Sequence, residues 1–460
     1  MSAAGTEAHL PRLSAVHVFA FLVLPPLLLL GAPLTVLLAT DRAIPADVEA
    51  PAILVALLPV LTPLLLRIAG REWDPLLLSP AWVLCALGLA VIARVQPDLL
   101  TTQMLWMTLG WTTFIALAGF PPLLDWLRTY RYTWLTAGIL LALATLFVGD
   151  DVTGQGTRLW LTVGPVTIQP AEVLRVVLIA FLAAYLGERR HLLMAGWRRA
   201  GDVSLPPPAY WLPLAGMVGL TLMVVVAQRD FGPSVIYVGS FLGMLYLATG
   251  RRAYVGIAVA VFALGALAAF AASGRVQARV DAWLDPWADP QGAGYQSLQA
   301  IGGFVFGGVA GAGPGYGFPG LIPAAHTDYP LAVVGEEWGL IGSLAVVMLY
   351  GLLVARGIVR AQFARTPFEQ LLAAGLALSL AVQVLVVSAG VLRLFPLTGI
   401  TSPFLSYGGS SMVMAWVMLA LLTRSGSRPT PAFTVPLDGV AARMQPVGLA
   451  LLAGFLVIAS

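Results

Sequence analysis

The chain has 460 residues, 59 % of them hydrophobic and 10 % charged, where an ordinary soluble domain carries about 25 % charge. That composition excludes a water-soluble globular enzyme and a disordered chain, and a single cysteine, Cys85, excludes a disulfide scaffold. The formal net charge of +3 is carried by arginine with no lysine at all, and the arginines stand singly or in pairs between apolar runs, so there is no nucleic-acid footprint.

A helix needs about 20 apolar residues to cross a bilayer, and hydrocarbon offers its backbone polar groups no partner outside the segment. The fold class is therefore all-α, a polytopic membrane bundle. In chain order, spans are predicted at 15–39, 51–68, 76–95, 101–121, 133–148, 171–186, 211–227, 232–249, 254–271, 331–355, 369–391 and 403–423, twelve in all, with a weaker thirteenth at 446–460. The first run contains Pro25, Pro26 and Pro33 and is followed by Arg42 where a signal peptide would have a cleavage site, so it reads as a span.

Short cytoplasmic loops carry the arginine excess. With the first span starting inside, sixteen arginines fall in cytoplasmic segments, among them Arg67, Arg71, Arg128, Arg131, Arg356, Arg360 and Arg424, against seven on the other side. This orientation sends 149–170 and the longest loop, 272–330, outside. Three regions follow: amino-terminal helices at 1–132, a motif-bearing membrane core at 133–424 containing that outer loop, and a Pro/Thr-rich linker with an apolar tail at 425–460.

Ionisable groups at membrane depth are costly and so point to function. Glu172 and Arg175 lie three apart at the start of a span, on one helix face, after Gln169 and a first-turn proline; an ion pair that merely closes the bundle is the plain alternative. In the outer loop Asp281, Asp285 and Asp289 recur every four residues, and Asp289 directly precedes an apolar, helix-like stretch from Tyr295 to Val309. Such a placement holds a carboxylate at the mouth of the bundle, whereas Asp281 reads as loop solvation. The glycine-rich stretch 302–320 has no lysine to complete a phosphate loop and suits close packing or a mobile loop beneath a bulky lipid substrate. His326 has no second histidine or cysteine at ligand spacing, which argues against a protein-only metal site. A divalent cation, magnesium or manganese, bridging a substrate pyrophosphate stays open.

Four separated motifs then carry a resemblance: Gly156 to Trp160 with Gln169 to Glu172; Asp289 to Gln296 with Gln299; Ala325 to Asp328 with Gly335 to Glu337 and Gly339; and Pro403 to Ser411. In this order the chain resembles the SEDS family (shape, elongation, division and sporulation), the polytopic peptidoglycan glycosyltransferases that include RodA, FtsW and SpoVE. The resemblance implies polymerisation of lipid II, an undecaprenyl-pyrophosphate-linked disaccharide pentapeptide, on the outer face of the bacterial cytoplasmic membrane for cell elongation or division. It also implies a class B penicillin-binding protein, a transpeptidase, as partner, with other elongation or division proteins, and no nucleotide. The family's essential loop aspartate corresponds to Asp289. Arg158, Gln169, Glu172, Arg175, Arg279, Tyr295, Gln299, His326, Asp328, Glu336, Glu337, Ser406, Tyr407 and Ser410 are the expected substrate-binding or supporting residues.

The chain departs from the family pattern in several places. Ala171 and Arg175 replace a serine and a lysine, Gln228-Arg-Asp-Phe-Gly-Pro233 replaces Gln-Pro-Asp-Leu-Gly-Thr, and Val387 and Arg393 stand where relatives commonly have Asn and Gly. The family core usually has ten spans, so the excess is assigned to extra amino-terminal helices. Two other classes fit a polytopic chain: a flippase or transporter of lipid-linked precursors, and a non-catalytic scaffold for a cell-wall synthase. Against transport stands the absence of an inverted repeat and the concentration of chemistry in an outer loop. Against a scaffold stands the intact motif at Asp289.

Overall fold

The computed structural model describes residues 15–42, 45, 47–151, 156–164, 166–194, 198–200, 203–205 and 207–426. The apolar tail, including the weak span at 446–460, lies outside the described residues. Fifteen α-helices follow one another: α1 (Ala15–Ala39), α2 (Glu49–Ile68), α3 (Pro75–Val95), α4 (Leu100–Gly119), α5 (Leu123–Thr129), α6 (Arg131–Val148), α7 (Pro170–Met194), α8 (Pro208–Ala227), α9 (Phe231–Thr249), α10 (Arg252–Ala272), α11 (Gly274–Leu284), α12 (Tyr295–Gly307), α13 (Pro330–Gln362), α14 (Pro367–Val391) and α15 (Gly409–Ser425). Two small antiparallel hairpins interrupt them, β1 (Leu161–Val163) with β2 (Val166–Ile168) and β3 (Arg198–Ala200) with β4 (Val203–Leu205).

Among the described residues ten helices are long and apolar enough to cross a membrane, and α4 with α5, bent by 84°, makes an eleventh. The count of twelve or thirteen is not reached among these: α15, at 17 residues, is shorter than the ten, and 446–460 lies outside the described residues. The apolar run at 403–423 is not one helix: Pro403 to Gly408 is irregular, Phe404 is held at φ 66°, and α15 begins only at Gly409 and has 17 residues. The run at 101–121 ends at the bend before Pro121 and Pro122. The protein is a multi-pass membrane protein of helical architecture.

Helices α3, α7 and α14 form the centre, with 83 % of each apolar window buried, whereas α10 at the periphery has 6 %. α14 packs on α7, α13 and α9; α1 and α13 pack on α3; α15 packs on α4. Trp416 of α15 joins three of these elements, its ring 4.6 Å from Trp82, 5.6 Å from Phe114 and 5.5 Å from Phe404. The starts of α3 and α14 follow ordinary capping rules. Asp74 accepts the amide of Leu77 ahead of Pro75, and Thr366 accepts that of Glu369 ahead of Pro367.

One end of the bundle gathers Asp74, which is buried, with Arg356 and Arg360 at 2.9 Å each, and Arg424, which donates to the carbonyls of Ala118 and Pro121. The opposite end gathers the carbonyl-rich glycine loop, the start of α13 and the ends of α3 and α11. There α13 is broken: Gly339 takes φ 68° and ψ −162°, so the helix loses its own hydrogen bonds at that point. The chain 308–313 supplies them. The amides of Leu340 and Ile341 donate to Gly308 and Val309, and those of Ala312 and Gly313 donate to Glu336 and Glu337. A buried break in a membrane helix stands only when another stretch of chain satisfies it, and the glycines permit the approach: a Cβ at Gly307, Gly311 or Gly339 would collide with the opposing backbone.

Gly339→Ala therefore combines a left-handed conformation with a backbone clash and should destabilise the protein by about 3 kcal/mol or more. Gly351→Ala on the same helix meets open space and should lie within about 0.5 kcal/mol of the parent. Thermal melts and monodisperse yield in detergent check both.

Candidate functional site

The outer loop places Asp289 on a rigid turn. Asp285 ends α11, its carboxylate accepts the amide of Trp287, and one turn of 3₁₀ helix over Pro286–Ala288 leads to Asp289. Oδ1 of Asp289 accepts the amide of Gly292 at 3.0 Å and Oδ2 that of Ala293 at 2.9 Å, while its carbonyl accepts the amide of Gly294 at 3.0 Å. Glycine is required twice here: a Cβ at 292 would collide with the Asp289 carboxylate and one at 294 with the carbonyl of Pro286. The carboxylate is thus fixed in plane by two amides yet exposed to solvent, and each oxygen keeps a free lone-pair direction to receive a proton. Tyr295 and Gln299 follow on α12, half-buried. Beside the loop, Trp283, Leu284, Ile301, Leu392 and Arg393 line a groove of about 500 Å3.

A second, buried assembly surrounds the start of α7. Glu172 and Arg175 pair at 2.7 Å. Arg175 also donates through Nη1 to Oε1 of Gln383 on α14, whose amide donates to the carbonyl of Thr401; the hydroxyls of Thr401 and Ser411 share a bond of 2.7 Å. The backbone amide of Gln169 donates to Ser410 and its side chain to Asp230, which precedes α9. Tyr237 donates to the carbonyl of Ala171 at 2.6 Å. α7, α9, α14 and α15 therefore meet through polar side chains at one point.

Arg279 of α11 links this assembly to the outer loop, since its positive charge acts on both Asp230 and Asp328. Burial pushes Asp230 up to about 6 against the opposing pull of Arg279 and of the Gln169 hydrogen bond. Burial likewise raises Asp328, which Thr327 and Arg279 partly offset, and lowers His326. The His326 carbonyl accepts the amide of Tyr407, and the two rings lie 5.8 Å apart. Ser406 closes its own turn on Ser402.

Glu336 and Glu337 belong to the broken start of α13. Glu337, fully buried, pairs with Arg94 of α3 at 2.6 Å, and Arg94 also donates to the carbonyls of Gly315 and Gly317. Glu336 accepts the amide of Phe318. Both carboxylates hold the glycine loop in place. Arg158, in contrast, is exposed on the segment leading to β1. Among the described residues no three His, Cys, Asp or Glu side chains are grouped to hold a metal ion.

Sequence reasoning did not select Arg94, Asp230, Gln103, Gln383 or Arg393. Asp230 stands in the altered Gln-Arg-Asp-Phe-Gly-Pro stretch and carried a signal. Gln383 is a lone amide in an apolar run, Gln103 another, donating to the carbonyl of Ser406 and accepting the amide of Gly408. Their partners lie 208 and more than 300 residues away, beyond any local pattern.

Comparison with known proteins places this geometry. Residues 84–428 match the family profile described as cell cycle protein, which unites FtsW, RodA and SpoVE. The chain is similar to the peptidoglycan glycosyltransferase RodA of Mycobacterium tuberculosis, 36 % identical over 364 residues, 76 % of this chain and 77 % of that one. It is also similar to the probable peptidoglycan glycosyltransferase FtsW of Thiomicrospira cyclica, 36 % identical over 318 residues, 68 % and 78 %. Among solved structures, a chain of a peptidoglycan synthase complex that coordinates polymerization and crosslinking superposes with a TM-score of 0.62 at 28 % identity, covering 76 % of this chain and 96 % of that one.

Asp230 sets a pH dependence. Its folded value lies above the ordinary 3.8, so the folded chain binds the proton more tightly than the unfolded chain, and the stability it contributes is full below 3.8 and is lost as pH rises through about 6. Asp230→Asn should remove that decline, narrowing the difference in melting temperature between pH 5 and pH 7.5 by roughly 2 °C or more. An unchanged difference would show that other groups set it.

Proposed function

The chain belongs to the FtsW/RodA/SpoVE family and is a peptidoglycan glycosyltransferase, and from that premise we propose that it polymerises lipid II with Asp289 as general base. The observation that carries this reading is the Asp289 carboxylate, fixed by two backbone amides and open to solvent on the outer loop. The 4-hydroxyl of one N-acetylglucosamine attacks the anomeric carbon of the donor sugar as the bond from that carbon to the lipid pyrophosphate breaks. The hydroxyl proton passes to Asp289. An alcohol is a weak nucleophile, and a positioned carboxylate within hydrogen-bond reach contributes about 10²- to 10⁴-fold.

The leaving pyrophosphate gains negative charge, which a guanidinium at the cavity mouth stabilises more in the transition state than before it. Arg279 is assigned this role, because Arg175 is bound by Glu172 and Gln383 whereas Arg279 lies on α11 and its charge acts on Asp328 and Asp230. Glu172 and Gln383 orient the buried network, and Glu336, Glu337 and Arg94 hold the loop beneath it. Any divalent cation would come on the substrate pyrophosphate, since the chain groups no three ligands of its own among the described residues.

In this reading the enzyme lies in the cytoplasmic membrane with Asp289 outside, supported by the arginine excess of the opposite loops. Its partner is a transpeptidase of the class B penicillin-binding type, supported by the likeness to a chain of a peptidoglycan synthase complex. The test is polymerisation of labelled lipid II by the purified complex. Asp289→Asn, which keeps shape and loses basicity, should slow strand formation by about 10²-fold or more with the complex intact; equal rates would overturn the assignment.

A further inference from the structure

The loop that carries Asp289 has a weak anchor on its amino-terminal side. α11 continues from α10, the most exposed of the apolar helices, which packs chiefly on α9. Nothing in α10 fixes the end of α11 against the centre of the bundle. On the other side, α12 packs on α13, and Gln296 donates to the carbonyl of Pro323.

Besides the charge of Arg279, which acts on Asp230 and Asp328, a hydrogen-bonded anchor for the end of α11 comes from Arg393, just beyond α14. Its Nε donates to the carbonyl of Trp283 at 2.9 Å and its Nη2 to that of Leu284 at 2.8 Å, while the indole of Trp283 donates back to the Arg393 carbonyl at 3.0 Å. The last carbonyls of a helix have no intrahelical partner and favour a cation, so the guanidinium fork meets two acceptors that need it. The same residue terminates α14. It takes φ 60°, a conformation that favours glycine, while its amide donates to Gly390 and the amides of Leu394 and Phe395 donate to Ala389.

We propose that Arg393 is a positioning residue for Asp289: it joins the end of α14, a central helix, to the end of α11, five residues before the carboxylate. The intervening turn transmits the constraint because it is stiff. Asp285 holds the Trp287 amide, Asp289 holds those of Gly292, Ala293 and Gly294, and Gly294 lies against Pro286 with no room for a Cβ. Rotation of the end of α11 therefore moves the carboxylate as part of one body. The inference rests on Asp289 being the base.

The test compares Arg393→Gly with the parent in the complex with its transpeptidase. Glycine suits the backbone conformation at 393, so the variant should fold with an unaltered melting temperature and lose only the fork. The turnover rate for lipid II should fall about 10- to 100-fold with KM within about threefold, since misplacement of a catalytic group by about 1 Å costs on that order. Amide exchange over 280–294, read by mass spectrometry without substrate, should quicken about tenfold while α14 is unchanged. Arg393→Lys, which keeps the charge but not the two-pronged geometry, should recover less than half of the lost rate.

Parent-like turnover in Arg393→Gly, or parent-like exchange over 280–294, would overturn the proposal. A raised KM with unchanged turnover would do so too, because it would make Arg393 a substrate contact. Full recovery by lysine would reduce the role to charge and overturn positioning. Activity retained in Asp289→Asn would instead remove the reading beneath it, and the exchange measurement, which needs no substrate, separates the two failures.

Discussion

Hydrocarbon supplies no hydrogen-bonding partner, and that single constraint decides where this chain can leave the helix. Among the described residues, the main departures are matched by donors or acceptors from distant segments. The break at Gly339 is closed by backbone from 308–313. The irregular segment before α15 is held by Gln103, Gln383 and Tyr350, whose hydroxyl donates to the carbonyl of Pro403 at 2.6 Å. The half-buried backbone amide of Gln169, just ahead of α7, meets Ser410. These repairs cluster at one end of the bundle, so the parts that make the membrane fold permissible are the same parts that border the site.

The division of labour between exposed and buried carboxylates follows from the same physics. A carboxylate that receives a proton during each turnover must reach its substrate and return the proton to water, and Asp289 is exposed. A carboxylate buried beside arginine loses most of that freedom. Breaking such a pair leaves an uncompensated charge at a cost of about 3–5 kcal/mol, which suits Glu172 and Glu337 to orientation. Arg279 stands between these regimes. It answers to two half-buried aspartates from different elements and lies on the helix that leads to Asp289.

The spans were open to sequence reading because lipid demands long apolar helices, and the motif residues were open because their order matches a family pattern. The later start of the last helix, at Gly409 and not at 403, shows the limit of apolarity. Phe404, Leu405 and Ser406 are buried, so the run looks like a span, yet the neighbouring polar side chains pay the backbone's hydrogen bonds and no helix is needed until Gly409. The glycine-rich stretch admitted two readings, close packing or a mobile loop beneath the substrate, and the collisions that a Cβ would meet at Gly307 and Gly311 favour close packing there. Arg94 with Glu337, 243 residues apart, and Gln383 with Arg175 were invisible because neither partner carries a local signature of the other.

A chain with many arginines and no lysine also has a structural logic. Arg42 donates to the carbonyls of Ala93 and Arg94 near the end of α3, Arg94 to those of Gly315 and Gly317, Arg424 to those of Ala118 and Pro121, and Arg360 to that of Gly426 while it holds Asp74. Carbonyls left over at helix ends come in neighbouring sets, and a planar fork with five N–H donors can span two of them where an ammonium acts as a point charge. Arg71 shares the Ala118 carbonyl with Arg424, so two guanidinium groups converge on one helix end. In such a bundle the positive charges at the ends of helices serve as joints between elements as well as marks of orientation, and replacing one by lysine would keep the net charge while loosening the joint.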